Sequence, residues 1–204
     1  WKLSLSESVS EVLVAPGNAG TSLEAKIRNL DVAPNDFEKL VETVRLEGIE
    51  FTIVGPEAPL VEGIVDYFHK EDLPCFGPMK KAAQLEGSKA FTKQFLEKYS
   101  IPTGKFETFD DLQTAVNYVE KQGAPIVIKA DGLAAGKGVV IAKTIEEATE
   151  SLKEMLSGEA FGDAGKQVVI EEFLEGEEAS FICLCDGKTA IPFASSQDHK
   201  TRDE

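Results

Sequence analysis

The chain has 204 residues, 42% hydrophobic and 28% charged, enough to bury roughly 70% of the unfolded surface in one or two domains. Lysine and arginine number 21 against 36 acidic residues, a formal net charge of −15; this argues against a nucleic-acid or anionic-membrane surface and requires any phosphate site to be local. No run of about 18 or more apolar residues is present to span a membrane, and the three cysteines give no disulfide framework, so a reducing, cytoplasmic compartment is expected.

Trp1 opens the sequence without an initiator methionine, and W-K-L-S-L-S-E-S reads as the continuation of a longer protein. Val12 to Ala15 is a short apolar run leading into the turn-rich P-G-N-A-G-T. Asn35 or Asp36 can cap a helix carrying Phe37, Leu40, Val41 and Val44 on one face, and Gly48 stops it. Phe51 to Val54 reads as a strand ended by G-P-E-A-P-L; helical spacing then runs from Leu60 to Phe68, and Leu73 to Phe76 makes a third strand. This alternation predicts a parallel sheet with ligand loops at the carboxyl ends of its strands. Gly17 to Thr21 and Gly55 to Leu60 are candidate loops, with ordinary turn chemistry as the competing reading.

Lys80 to Leu85 is a short helix, and Ser88 caps a longer one beginning G-S-K-A-F. Lys89 in that first turn meets the positive end of the helix dipole, at a cost of about 0.3 to 1 kcal/mol. An anion between lysine and helix would reverse the balance, since one charge-assisted hydrogen bond is worth about 1.5 to 3 kcal/mol. A solvated surface lysine is the alternative.

After Ile101-Pro102 a new unit begins, with a helix over Asp110 to Gln122. From Ile126 to Ala142 the chain reads I-V-I-K-A-D-G-L-A-A-G-K-G-V-V-I-A, two β-type runs around a turn with Gly132, Gly136 and Gly138. Each glycine forfeits about 0.5 to 1 kcal/mol relative to alanine in regular structure. Backbone at positive φ, or amides that approach an anion closely, would repay it. Lys129 and Lys137 flank the turn, so nucleotide phosphates are the natural ligand. A Walker loop would need glycine at Asp131 and a hydroxyl residue at Gly138, and the dinucleotide fingerprint would need glycine at Ile141. Strand, glycine loop, strand remains, a lid over phosphates; a flexible hairpin is the bland alternative.

Thr144 to Ser157 follows as a helix with a Thr144–Glu147 capping box and a stripe of Ile145, Ala148, Leu152 and Met155. The strand Val168 to Glu172 ends in Glu171, Glu172, Phe173 and Leu174. Phe173 and Leu174 could form an apolar slot for a base, and Glu178 on the next strand could accept from ribose; a solvated acidic turn is the competing reading. Cys183 and Cys185 share a strand face with Phe181 and are expected in the core. Asp186-Gly187 is a turn before a strand at Thr189 to Phe193.

G-S-K at Gly87 to Lys89, V-I-K-A-D-G-L-A-A-G-K-G-V at Val127 to Val139 and V-I-E-E-F-L-E-G-E-E-A-S at Val169 to Ser180 resemble the ATP-grasp ligases. P-G-N-A-G-T, V-G-P-E-A-P-L at Val54 to Leu60 and Q-D-H-K at Gln197 to Lys200 narrow the resemblance to the glycinamide ribonucleotide synthetase family, over nearly the whole chain. The fold so implied is α/β: a parallel-sheet pre-ATP-grasp domain at 1–84 lacking its first strand, a linking helix at 85–103, a small α+β lid subdomain at 104–172, and the first strands of the larger ATP-grasp subdomain at 173–204.

The resemblance implies ATP-dependent ligation of glycine to 5-phosphoribosylamine through glycyl phosphate, in purine biosynthesis. It assigns phosphate oxygens to Lys89 and Lys129, and the lid to Asp131, Gly132, Gly136, Lys137 and Gly138. Glu171, Glu172, Phe173 and Leu174 would line the adenine hinge, and Glu178 would hold the ribose. Gly17, Asn18, Gly20, Thr21, Gly55, Pro56, Glu57, Pro59, Leu60, Asp198 and Lys200 would face glycine or phosphoribosylamine. Magnesium ligands are expected outside these residues, no catalytic residue is assigned, and the 204-residue stretch alone is expected not to turn over. A different ATP-grasp ligase, such as a biotin-dependent carboxylase component, and a non-catalytic nucleotide-binding module remain alternatives.

Overall fold

The computed structural model describes residues 1–133, 138–157 and 166–199. Its first part holds β1 (Val12–Val14), β2 (Ile27–Asn29), α1 (Phe37–Glu47), β3 (Thr52–Ile53), α2 (Glu57–Glu62), α3 (Ile64–Lys70) and β4 (Cys75–Phe76). The strands pair parallel, β1 with β2 and β3 with β4, as two separate two-stranded units and not one continuous sheet. Asp36 caps α1 by accepting from the Lys39 N–H, and Gly48 closes it at φ 65°. Val41 and Val44 of α1 pack with Ile64, Val65 and Phe68 of α3 over Cys75.

Three expectations need correction in this part. The helical run from Leu60 to Phe68 is two helices, because Gly63 at φ 102° breaks the backbone between α2 and α3. Glu57 to Leu60 are not loop: α2 begins directly after extended Pro56, and Pro59 sits in the first turn, where a missing N–H costs nothing. Strand β2 has no counterpart in the sequence reading; Lys26 at φ 62° precedes it, and only pairing with β1 makes it a strand.

Helices α4 (Lys80–Gly87) and α5 (Lys89–Lys98) then lead into β5 (Phe106–Phe109), α6 (Leu112–Gln122), β6 (Ile126–Ala130), β7 (Val139–Ala142), α7 (Ile145–Leu156) and β8 (Val168–Glu172). The strands form an antiparallel sheet in the order β5-β8-β6-β7. Ile126, Ile128 and Ala130 alternate onto one face and pack with Ala115 and Val119 of α6 and Ala148, Leu152 and Met155 of α7. Both helices therefore cover the same side of the sheet. Alternation turns Val127, Lys129 and Glu171 to the opposite side, where α5 lies against β8. The capping box of α7 is displaced by one residue: Thr144 accepts from the Glu147 N–H, but Glu147 reaches back to the N–H of Lys143.

Four short strands close the described chain: β9 (Glu178–Ser180), β10 (Cys183–Cys185), β11 (Ala190–Pro192) and β12 (Ser196–Asp198). They pair antiparallel, β9 with β12 and β10 with β11; β12 was not anticipated. Cys185 and Phe181 are exposed and Cys183 only half-buried, contrary to the core packing expected, because no second layer covers these ribbons among the described residues. No helix among the described residues is long and apolar enough to cross a membrane.

Candidate functional site

The glycine hairpin is built as its sequence suggests. Ile126 to Lys129 pair with Val139 to Ala142, and the Ala130 N–H donates to the Gly138 carbonyl at 2.8 Å to close the base of the turn. Gly132 has φ 85°, a left-handed conformation that glycine adopts without cost. Gly136 and Lys137, and likewise Lys200, lie outside the described residues.

Asp131 binds a neighbouring helix in place of its own loop's backbone. Its carboxylate accepts from Ser88 Oγ at 3.0 and 3.1 Å and from the Ala90 N–H at 3.0 Å, while Ser88 Oγ accepts from the Phe91 N–H at 3.0 Å. The anion needed at the positive end of α5 is therefore supplied by the protein itself. Next to it, the Lys89 ammonium donates to the Gly132 carbonyl at 2.7 Å. Burial pulls that ammonium below its ordinary pKa, against the raising influence of Asp131.

On the sheet face beneath the hairpin, Lys129 Nζ lies 2.8 Å from Glu171 Oε1, and Lys93 Nζ lies 2.9 Å from Glu171 Oε2. The strand register explains the first pair: Val127 stands opposite Glu171 and Lys129 opposite Val169, so Lys129 and Glu171 are diagonal neighbours on one face. Burial works to raise the Glu171 pKa, but hydrogen bonds from Lys129 and Lys93 prevail and hold it below the ordinary carboxylate range.

These groups enclose a cavity of about 760 Å³ lined by Glu57 and Ala58 of α2, Lys89, Thr92 and Lys93 of α5, Lys129 and Glu171 of the sheet, and Gly132, Leu133, Gly138 and Val139 of the hairpin, among others. Lys89, Lys129, Gly132, Gly138, Glu171 and Glu57 are thus brought together as candidates, with Asp131 fastening the hairpin beside them. Lys93 was missed. Its place four residues after Lys89 puts it on the same helix face, which was the available signal, but its carboxylate partner comes from a distant strand.

The remaining candidates lie elsewhere. Glu172 accepts from the Lys105 N–H at 2.8 Å and so holds the segment entering β5. Phe173 and Leu174 are exposed just past β8, and Glu178 stands opposite Asp198 where β9 pairs with β12; none of these four lines the cavity. The Gly17 to Thr21 loop is closed by its own hydrogen bonds and tied to Asn29 of β2. The Asn18 N–H donates to Thr21 Oγ1 at 2.8 Å, the Thr21 N–H to Asn18 Oδ1 at 3.0 Å, and Asn29 of β2 donates to the Asn18 carbonyl at 2.8 Å. Gly17 at φ 77° lies against the Asn29 side chain, and Gly20 nearest Asn18. Gly55 and Pro56 form the short link from β3 to α2, where Pro59 is buried and Leu60 packs on the α1–α3 core.

Similarity to known proteins converges on one family. The profile described as "Phosphoribosylglycinamide synthetase, N domain" matches residues 1–86, and "Phosphoribosylglycinamide synthetase, ATP-grasp (A) domain" matches residues 87–204. Phosphoribosylamine–glycine ligase of Vibrio vulnificus strain YJ016 is 58% identical over 200 residues, covering 98% of this chain and 47% of the relative. The crystal structure of phosphoribosylamine–glycine ligase from Thermotoga maritima superposes with a TM-score of 0.71 at 33% identity, over 91% of this chain and 43% of that one. The biotin carboxylase domain of Hydrogenobacter thermophilus 2-oxoglutarate carboxylase, solved with MgADP and bicarbonate, matches with a TM-score of 0.67 at 20% identity, over 84% of this chain and 40% of that one. At that identity the likeness concerns the fold alone. The chain spans about half the length of the curated relatives it matches.

Proposed function

The chain belongs to the phosphoribosylglycinamide synthetase family, and on that premise we propose that the protein containing it joins glycine to 5-phosphoribosylamine with ATP, forming glycinamide ribonucleotide, ADP and phosphate in the cytoplasm. A carboxylate is a poor acyl donor because oxide does not leave. One carboxylate oxygen of glycine takes the terminal phosphoryl group of ATP, and ADP departs. The amine nitrogen of phosphoribosylamine then attacks the carbonyl carbon of glycyl phosphate; the carbon–oxygen bond to phosphate breaks, and the nitrogen sheds a proton.

Catalysis of both steps depends chiefly on positioning and charge neutralisation. Lys89 and Lys129 hold phosphate oxygens, and the hairpin around Gly132 and Gly138 covers them and excludes water. For Lys89 this means exchanging the Gly132 carbonyl for a phosphate oxygen. By resemblance, Glu171 to Leu174 form the adenine hinge and Glu178 holds the ribose. The Gly17 to Thr21 loop, the β3–α2 junction and Asp198 face glycine or phosphoribosylamine. Magnesium, when bound, would supply further charge neutralisation at the phosphates; among the described residues no group of three His, Cys, Asp or Glu is placed to hold a metal ion.

The observation that carries this reading is the meeting of Lys89, Lys129 and the glycine hairpin around one cavity of about 760 Å³, in a chain of net charge −15. Lys89, Lys93 and Lys129 stand there among Glu57, Glu86 and Glu171, and the ammonium groups are the partners the cavity offers to phosphate oxygens. ADP formation by the full-length protein tests it: turnover should require glycine and phosphoribosylamine together. Tight ATP binding without turnover would instead make it a nucleotide-binding module, and turnover with a different carboxylate and amine would make it another ATP-grasp ligase.

A further inference from the structure

Of the lysines at the cavity, Lys93 is the most deeply buried, at 9% exposure, and the ligation mechanism gives it no task. Its ammonium donates to Glu171 Oε2 at 2.9 Å, to Thr103 Oγ1 at 2.7 Å and towards the Gly104 carbonyl at 3.5 Å, and it lies 5.5 Å from the centre of the Phe106 ring. Three protein acceptors account for its three donors, leaving none for a ligand. Lys129 differs. Its side chain is 28% exposed, and among the described residues its only hydrogen-bond acceptor is Glu171 Oε1 at 2.8 Å, so two donors remain for the cavity.

We propose that Lys93 is a positioning residue: by occupying Oε2 of Glu171 it keeps that carboxylate from neutralising Lys129, which stays available to a phosphate oxygen. The inference rests on the reading of the cavity as the triphosphate site. Two ammonium groups sharing one carboxylate leave a net positive charge beside the cavity. Without Lys93 a one-to-one pair remains, and in a partly dry site Glu171 would turn its unpaired oxygen to the nearest cation. The bonds to Thr103 and Gly104 hold Lys93 in place from the segment that enters β5.

The test is MgATP affinity of the full-length protein, by calorimetry, with steady-state kinetics alongside. Lys93→Met should weaken ATP binding about tenfold and raise KM for ATP about as much, with kcat within about threefold, because the affected contact is shared by ground and transition states. Lys93→Arg, which keeps the charge, should stay within about threefold of the parent. Removing the unpaired carboxylate as well, in Lys93→Met/Glu171→Gln, should give ATP binding at least about threefold tighter than in Lys93→Met alone, a gain that a merely structural role for Lys93 would not give. If Lys93→Met does not fold, Lys93→Gln takes its place. Parental affinity in the neutral variant, or a double variant no better than the single, overturns the proposal. Lys129→Ala separates the two failures. If it weakens ATP binding while Lys93→Met does not, this inference alone falls; if neither does, the triphosphate reading falls with it.

Discussion

Asp131 puts a negative charge among residues expected to meet phosphates, and its hydrogen bonds explain how that is tolerated. Its carboxylate is spent on Ser88 and the Ala90 N–H, so it caps a helix and fastens the hairpin to it. Asp131→Ala should therefore destabilise the full-length protein by about 0.5 to 2 kcal/mol, the range for a lost helix cap, read as a lower denaturant midpoint; an unchanged midpoint would contradict the cap. Ser88 as cap was legible in G-S-K-A-F, whereas its tie to Asp131 was not, because nothing local joins the two positions. Lys129 carries the phosphate reading at this scale. Lys129→Ala should weaken ATP binding by roughly 10- to 100-fold, as loss of one charge-assisted hydrogen bond implies, and Lys70→Ala, at an exposed position, should not. Equal affinities would remove Lys129 from the phosphate site.

At the scale of elements, the site depends on the parity of two strands and the face of one helix. Covering one side of the sheet with α6 and α7 forces Lys129 and Glu171 to the other, where α5 supplies Lys89 and Lys93. The stripe of α7, the hairpin and the bounds of β8 were legible because periodicity and turn chemistry are local signals. The break at Gly63 was masked because apolar spacing continues through it, and β2 and β12 are three-residue strands that exist only by pairing. The Glu171 carboxylate, held below its ordinary range through its contacts with Lys129 and Lys93, makes a pH-dependent contribution to this packing. With the folded value depressed, its stabilisation is present above the ordinary carboxylate range and lost as pH falls through the folded value. Acid unfolding of Glu171→Gln should accordingly depend less on pH below about 4.5 than that of the parent; identical acid limbs would deny the ion pairs that role.

Across the whole molecule the net charge is −15, and the cavity gathers Lys89, Lys93 and Lys129 together with Glu57, Glu86 and Glu171, so a phosphorylated ligand would meet lysines set among carboxylates while polyanions are repelled elsewhere. The sequence motifs reached the phosphate-facing half of the site, since glycines and lysines there act close to their own strand or helix. They did not reach how Phe173, Leu174, Glu178 and Asp198 are arranged, for Phe173 and Leu174 are exposed just past β8 and Glu178 and Asp198 sit on the β9–β12 ribbon, none of them lining the cavity. The central proposal is chemical: the cavity where Lys89, Lys129 and the glycine hairpin meet is proposed to serve, in the full-length protein, to turn a carboxylate into an acyl phosphate. Glycine labelled with ¹⁸O in both carboxylate oxygens, supplied with ATP and 5-phosphoribosylamine to the full-length protein, tests it most directly. The account predicts one ¹⁸O in every inorganic phosphate released, because the oxygen that attacks phosphorus leaves with it, and release of unlabelled phosphate would contradict it.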